Sequence, residues 1–174
     1  MTRAKKINDE VYVAEDPIVQ ADRALMESLK AQAAKNPRHR VRLCAHKDSQ
    51  DRLHEMLIVL TKDVYIRPHK HLNKTESFHV IEGTASVIFF DDKGGIEDVI
   101  HIGGFTSGKQ FYFRNDDSRY HTQIITSDDL VFHETTNGPF NRADTIYAPW
   151  SPEENDAEAA RAFMENLRRD VVRG

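Results

Sequence analysis

The chain has 174 residues, enough for a single hydrophobic core that buries roughly 70% of the unfolded surface without a disulfide or metal staple. At 39% hydrophobic and 30% charged it is neither disordered nor fibrous, and 24 basic against 28 acidic residues (net charge −4) argue against a non-specific nucleic-acid binder. One cysteine, Cys44, excludes an internal disulfide framework and fits a reducing compartment, while the longest apolar run, Met56 to Leu60, is too short to cross a bilayer.

Residues 1–15 are polar and without pattern, as for a mobile arm or a strand that borrows its partners. They place no apolar stretch behind the N-terminal positive charges, so no signal peptide is expected and a cytoplasmic location is. Asp16-Pro17 reads as an N-cap followed by proline at the first helical position. Ile18, Ala21, Leu25, Leu29 and Ala33 then recur at helical spacing until Asn36-Pro37 stops the helix.

From Val41 the period changes to that of strands: Leu53 to Leu60, Val64 to His71, Ser77 to Phe90, Ile96 to Ile102, Gln110 to Phe113, Tyr120 to Thr126 and Leu130 to Glu134. Turn residues separate them, as at Asp91-Asp92-Lys93-Gly94-Gly95 and Ser127-Asp128-Asp129. Many short strands with regular turns predict an all-β sandwich or barrel. Ser151-Pro152-Glu153-Glu154 reads as a capping box, and Ala160, Phe163, Met164, Leu167 and Val171 form the apolar stripe of a C-terminal helix packed on the barrel. The expected organisation is an arm and helix over 1–39, a β-barrel over 40–150 and a helix over 151–174.

The chemistry lies in the histidines, nine in all. His69 and His71 are two apart on a strand, so both imidazoles point the same way with Cα atoms roughly 6.6 Å apart. After a short turn Glu76 opens the next strand and can bring a carboxylate to the same point. Imidazole and carboxylate together suit a borderline divalent metal: iron, manganese, cobalt, nickel or zinc. Chance supplies about 0.46 His-x-His pairs in such a composition, and requiring Glu76 and Gly83 at their offsets lowers the expectation to about 0.0015.

His69-x-His71, four residues, Glu76, six residues and Gly83 resemble the first conserved motif of the cupin superfamily, and Tyr120-His121-Thr122 stands where the second motif supplies a further histidine. The resemblance implies a cupin double-stranded β-helix, a jelly-roll barrel, with flanking N- and C-terminal helices. It also implies one divalent transition metal held by His69, His71, Glu76 and His121. The chain departs from the pattern at Asp63, where a glycine is usual, and at Asp116-Asp117-Ser118, where Pro-x-Gly is usual. Arg67-Pro68-His69-Lys70-His71, Glu76-Ser77-Phe78, Gly138-Pro139-Phe140 and Ala148-Pro149-Trp150-Ser151-Pro152 are further similar to the WbuC family of cupin-fold metalloproteins, over about Pro37 to Pro152. Members of that family are often associated with bacterial surface-polysaccharide synthesis.

Strand parity places Arg67 and Tyr65 on the face of His69. Arg67 reads equally as a contact for an anionic substrate or as an arginine paired with an acidic residue at the barrel mouth. Tyr65 lines the pocket or fills the core. Gln123 shares the parity of His121 and is a candidate substrate contact. His101 and His133, on late strands, are candidate catalytic bases, against the plainer reading of packed strand histidines. His79 has the opposite parity from Glu76 and reads as a surface residue.

The expected function is a metal-dependent enzyme of isomerase, epimerase or lyase type acting on a small anionic or sugar-like substrate. The alternatives are an Fe(II) dioxygenase, a non-catalytic small-molecule-binding module and a metal-free nucleotide-sugar epimerase or isomerase. No nucleic-acid or membrane partner is expected, and a twofold homodimer is.

Overall fold

The computed structural model describes residues 2–173. Twelve strands and two helices are present among them: β1 (Ala4–Lys6), β2 (Val11–Ala14), α1 (Arg23–Lys35), β3 (Arg40–Cys44), β4 (Leu53–Thr61), β5 (His69–His71), β6 (Glu76–Glu82), β7 (Thr84–Phe90), β8 (Ile96–Gly103), β9 (Tyr112–Asn115), β10 (Tyr120–Ile125), β11 (Asp129–Asn137), β12 (Thr145–Tyr147) and α2 (Ala157–Arg173). They form a seven-stranded sheet, β1-β2-β3-β4-β11-β6-β9, and a five-stranded sheet, β12-β5-β10-β7-β8.

The strand order defines the fold. Counting the eight strands from β4 to β11, the larger sheet holds the first, eighth, third and sixth side by side, and the smaller sheet the second, seventh, fourth and fifth. This alternation between two facing antiparallel sheets is the jelly roll, or double-stranded β-helix. The all-β expectation holds, with the refinement that the sheets face one another as a sandwich and do not join into a closed barrel.

Alternation along the strands sorts the core. Leu60, Phe78, Val80, Leu130 and Phe132 of the larger sheet meet Ala85, Val87, Phe89, Ile102 and Ile125 of the smaller one. The opposite face of the larger sheet carries Val41, Leu43, Val59 and Val131, which α1 covers with Met26, Leu29 and Ala33. The outer face of the smaller sheet carries Ile88, Phe90, Tyr120 and Ile124, which α2 covers with Met164 and Leu167. Each helix therefore lies on one outer face and leaves the space between the sheets for the core and the site.

Several local expectations are corrected. Helix α1 begins at Arg23, capped by Asp22, whose side chain accepts from the Leu25 amide. Asp16 instead accepts hydrogen bonds from the backbone and guanidinium of Arg3, and Ile18 is 73% exposed. Residues 1–15 supply β1 and β2, and β2 pairs in parallel with β3. The Ser77–Phe90 run is two strands broken at Gly83, whose φ is +84° and whose Cα faces the Asp129 carbonyl so closely that a Cβ would lie 2.0 Å from that oxygen. Of Val64 to His71 only the last three residues pair as strand, and β12 was not expected. Helix α2 begins at Ala157, with Asp156 accepting from the Ala159 amide. Glu154, read as a capping-box residue, pairs with Arg38 and Arg40, and both arginines also meet Glu10 (3.1 and 2.8 Å).

Candidate metal centre

Strand β10 lies between β5 and β7 in the smaller sheet, and His121 faces His69 across the ladder. His71 is two residues beyond His69 on the same face. The three rings close on one another at the inner face of the sheet, with centroids 4.8 Å (His69–His71), 4.7 Å (His69–His121) and 5.8 Å (His71–His121) apart. One nitrogen from each lies within 4.8 Å of the others, so the three could hold a metal ion. Glu76, the first residue of β6 in the opposite sheet, is 4% exposed. Its Oε1 is 3.1 Å from His71 Nε2 and its Oε2 is 3.5 Å from His121 Nε2.

The outer nitrogens fix the imidazoles. His69 Nδ1 donates to the Arg67 carbonyl at 2.8 Å and His121 Nδ1 to the Arg119 carbonyl at 3.1 Å. A carbonyl only accepts, so both Nδ1 atoms carry a proton and both neutral rings present the Nε2 lone pair inward. Burial, then the neighbouring His121 and His71, pushes His69 down to about 3, so its ring stays neutral. His71 Nδ1 meets the Thr145 hydroxyl at 3.1 Å, a group that can donate or accept, so this ring alone is free to donate from Nε2 to Glu76.

Without a cation the remaining inward groups are therefore acceptors facing acceptors, and Glu76 Oε2 is buried with no hydrogen-bond partner among the described residues. Two further lone pairs and a carboxylate oxygen in a buried space are the donor set a divalent cation satisfies, and the residues fit one. Burial raises the Glu76 carboxyl, but the adjoining His121 and His71 rings and the charge of Lys74 outweigh it and hold it well below the usual carboxylate range. Lys74 Nζ donates to Glu76 Oε1 at 2.9 Å.

The other candidates fall elsewhere. Arg67 turns to the C-terminal segment, where Nε donates to Ser151 Oγ at 3.1 Å and its charge meets Glu153 at 2.5 Å, so the acidic pairing is the one found. Tyr65 donates to the Pro152 carbonyl at 2.8 Å and packs edge-on against Phe163. Gln123 is buried on the inner face, one side-chain step beyond His121, with Oε1 unpartnered among the described residues. His101 and His133 are corrected as candidate bases, because each alternates with inner-face residues and so points outward. His101 bonds to Ser86 Oγ, and His133 lies 3.7 Å from Glu55. His79 is exposed and packs against Phe111.

Sequence reasoning missed Glu134, which sits on β11 opposite Met56 and is turned inward. Burial, then the charge of Glu76, pushes its carboxyl up to about 7. Its parity was readable from Phe132, but nothing in the spacing tied β11 to the motif on β5 and β6.

Residues 21–102 match the model of a domain of unknown function, DUF6016. No curated protein matches the chain. Among solved structures, the chain is similar to a Shewanella oneidensis protein (TM-score 0.48, 11% identity, 59% of this chain and 66% of that one). It is similar to a Klebsiella pneumoniae conserved protein with a double-stranded β-helix domain (TM-score 0.48, 13% identity, 63% and 79%). It is also similar to a mutant of Bacillus subtilis oxalate decarboxylase (TM-score 0.44, 19% identity, 56% and 24%). The chain thus spans less than two thirds of the Shewanella protein and about a quarter of the decarboxylase. These likenesses are too remote to bear on activity, and the fold stands on the strand order. Among the described residues no helix is long and apolar enough to cross a membrane.

Proposed function

We propose that the chain is a metal-dependent enzyme that binds one divalent transition metal through His69, His71, His121 and Glu76 and acts on a small anionic or sugar-like substrate by isomerase, epimerase or lyase chemistry. The observation that carries it is the convergence of the inward Nε2 atoms with the buried, unpartnered Glu76 oxygen. The bound ion would supply Lewis acidity, polarising a substrate oxygen and lowering the pKa of a neighbouring hydroxyl or C–H. The chain's own residues do the rest: the Arg67 and Arg119 carbonyls and the Thr145 hydroxyl orient the imidazoles, and Lys74 balances the Glu76 charge. Glu134 faces inward from β11 with its carboxyl pushed up by burial and by the charge of Glu76, which suits a group that exchanges a proton.

The motif resemblance to the WbuC family supports a cytoplasmic role in surface-polysaccharide synthesis, and the edge strand β9 supports a twofold dimer. Proton-transfer chemistry is tested by incubating the metal-loaded chain with hydroxy acids and aldoses in deuterated water. The expected result is deuterium appearing beside the carbonyl or carboxylate and vanishing with a chelator. Oxygen uptake in the Fe(II) form without exchange would assign a dioxygenase instead, and exchange that survives metal removal would favour the metal-free epimerase.

A further inference from the structure

Lysine side chains are mostly exposed unless they are paired, yet Lys74, two residues before Glu76, keeps only 21% of its side chain exposed. It lies in the turn between β5 and β6, and that turn is pinned at three points. The Leu72 amide donates to the Asp144 carbonyl at 2.7 Å, and the Thr75 amide donates to Asn137 Oδ1 at 2.7 Å. Asn137 Nδ2 donates in return to the Asn73 carbonyl at 3.1 Å. One side chain at the end of β11 therefore grips the turn on both sides of Lys74. Asn73 takes a φ of +58°, a left-handed conformation that asparagine adopts more readily than most residues.

The turn thus aims the ammonium, and its target is Glu76 Oε1, 2.9 Å away. The two Glu76 oxygens are served differently. Oε1 meets both Lys74 Nζ and His71 Nε2, whereas Oε2 is buried with no hydrogen-bond partner among the described residues and lies 3.5 Å from His121 Nε2. A carboxylate that gives one oxygen to a charge-assisted hydrogen bond is left to coordinate through the other. Binding a cation through both would break that bond and press the cation against an ammonium.

We propose that Lys74 is a positioning residue of the metal centre: it holds Oε1, so that Glu76 binds a divalent metal through Oε2 alone and a coordination position stays open for substrate or water. The role rests on the metal-centre reading above, and its test keeps the two apart. Three imidazole nitrogens and one carboxylate oxygen leave two positions free on an octahedral ion, and a second Glu76 oxygen would leave one. Asn137 acts one step further out, by fixing the turn that carries the lysine.

The full chain and its variants are loaded with manganese. Competition with a chelator reads affinity, and the acceleration of water proton relaxation per bound ion reads the positions that water occupies. In Lys74→Met the freed Oε1 becomes a ligand and the repelling charge is gone. Manganese then binds about tenfold tighter, and relaxation per ion falls by about half. Lys74→Ala gives the same two changes, so the result does not depend on how Met packs. Lys74→Arg keeps the charge and the donor and stays near the native values, and Asn137→Ala moves both readings part of the way toward Lys74→Met. Native affinity and native relaxation per ion in Lys74→Met and Lys74→Ala, or weaker binding in both, overturn the role and leave the metal centre standing, even where thermal stability falls. A native chain that takes up no manganese overturns the centre and the role together.

Discussion

Four side chains carry the site, and their roles differ. His69 and His121 are locked with Nε2 inward by main-chain carbonyls, whereas His71 leans on a hydroxyl. Thr145→Val therefore removes an orienting bond but no ligand, and it is expected to weaken metal binding by about 10-fold, as loss of such outer contacts does. Glu76→Gln keeps the shape but removes the only negative charge among the four, and competition with a chelator should show a larger loss than Thr145→Val. Arg67→Met gives the contrast: its contacts go to Ser151 and Glu153, so metal content should stay at the native level while thermal stability falls. Equal metal loss in the Arg67 and Glu76 variants would mean that Arg67 serves the centre after all. At this scale the common direction of His69 and His71 was legible from their two-residue spacing and strand parity, whereas His121 was reached through the resemblance to the second cupin motif. The direction of Arg67 was not legible, since its partners lie more than eighty positions along the chain.

Elements show the same division between local and distant causes. The end of α1 at Asn36 was readable from Asn36-Pro37, but its start was not. Both Asp16 and Asp22 are good caps in isolation, and Asp16 is claimed by Arg3 from β1's neighbourhood. Asp22→Ala should cost about 1 kcal/mol of stability in denaturant titration, as lost caps do. An equal cost from Asp16→Ala with none from Asp22→Ala would contradict the assigned helix start. The break at Gly83 was hidden because strand-forming residues flank it on both sides, Phe78 to Ile81 before it and Val87 to Phe90 after it, and the positive φ and the nearby Asp129 carbonyl reveal it. Strand β12 is three residues long and exists because β5 needs a second neighbour, a requirement invisible to periodicity. In the same way Glu154 satisfies every local rule for a capping box and is taken instead by Arg38 and Arg40.

For the whole molecule, the jelly roll puts three histidines on one sheet and two carboxylates on the other, so the site exists only when the sandwich is assembled. Core and site are coupled through β11, where Phe132 fills the interior two residues before Glu134. Phe132→Ala is expected to cost about 3–5 kcal/mol, measured by denaturant unfolding. Acid should weaken the metal-free protein through His69. Its folded pKa, about 3, lies below the ordinary value of 6.5, so the unfolded chain binds the proton first. The contribution is intact above pH 6.5 and is lost progressively as the pH falls toward 3. Loading the metal should lift midpoint temperature most above pH 6.5, where the imidazoles are neutral in both states. Flat stability of the metal-free chain between pH 6.5 and 4 would contradict a buried neutral His69.

The most direct measurement is elemental analysis of the full chain purified without oxygen, beside the double variant His69→Ala/His121→Ala, with circular dichroism on both. The account predicts close to one divalent transition metal per native chain and almost none in the variant, with the β spectrum retained. A native chain that takes up no such ion even when it is supplied, or a folded double variant that keeps a full equivalent, would contradict it.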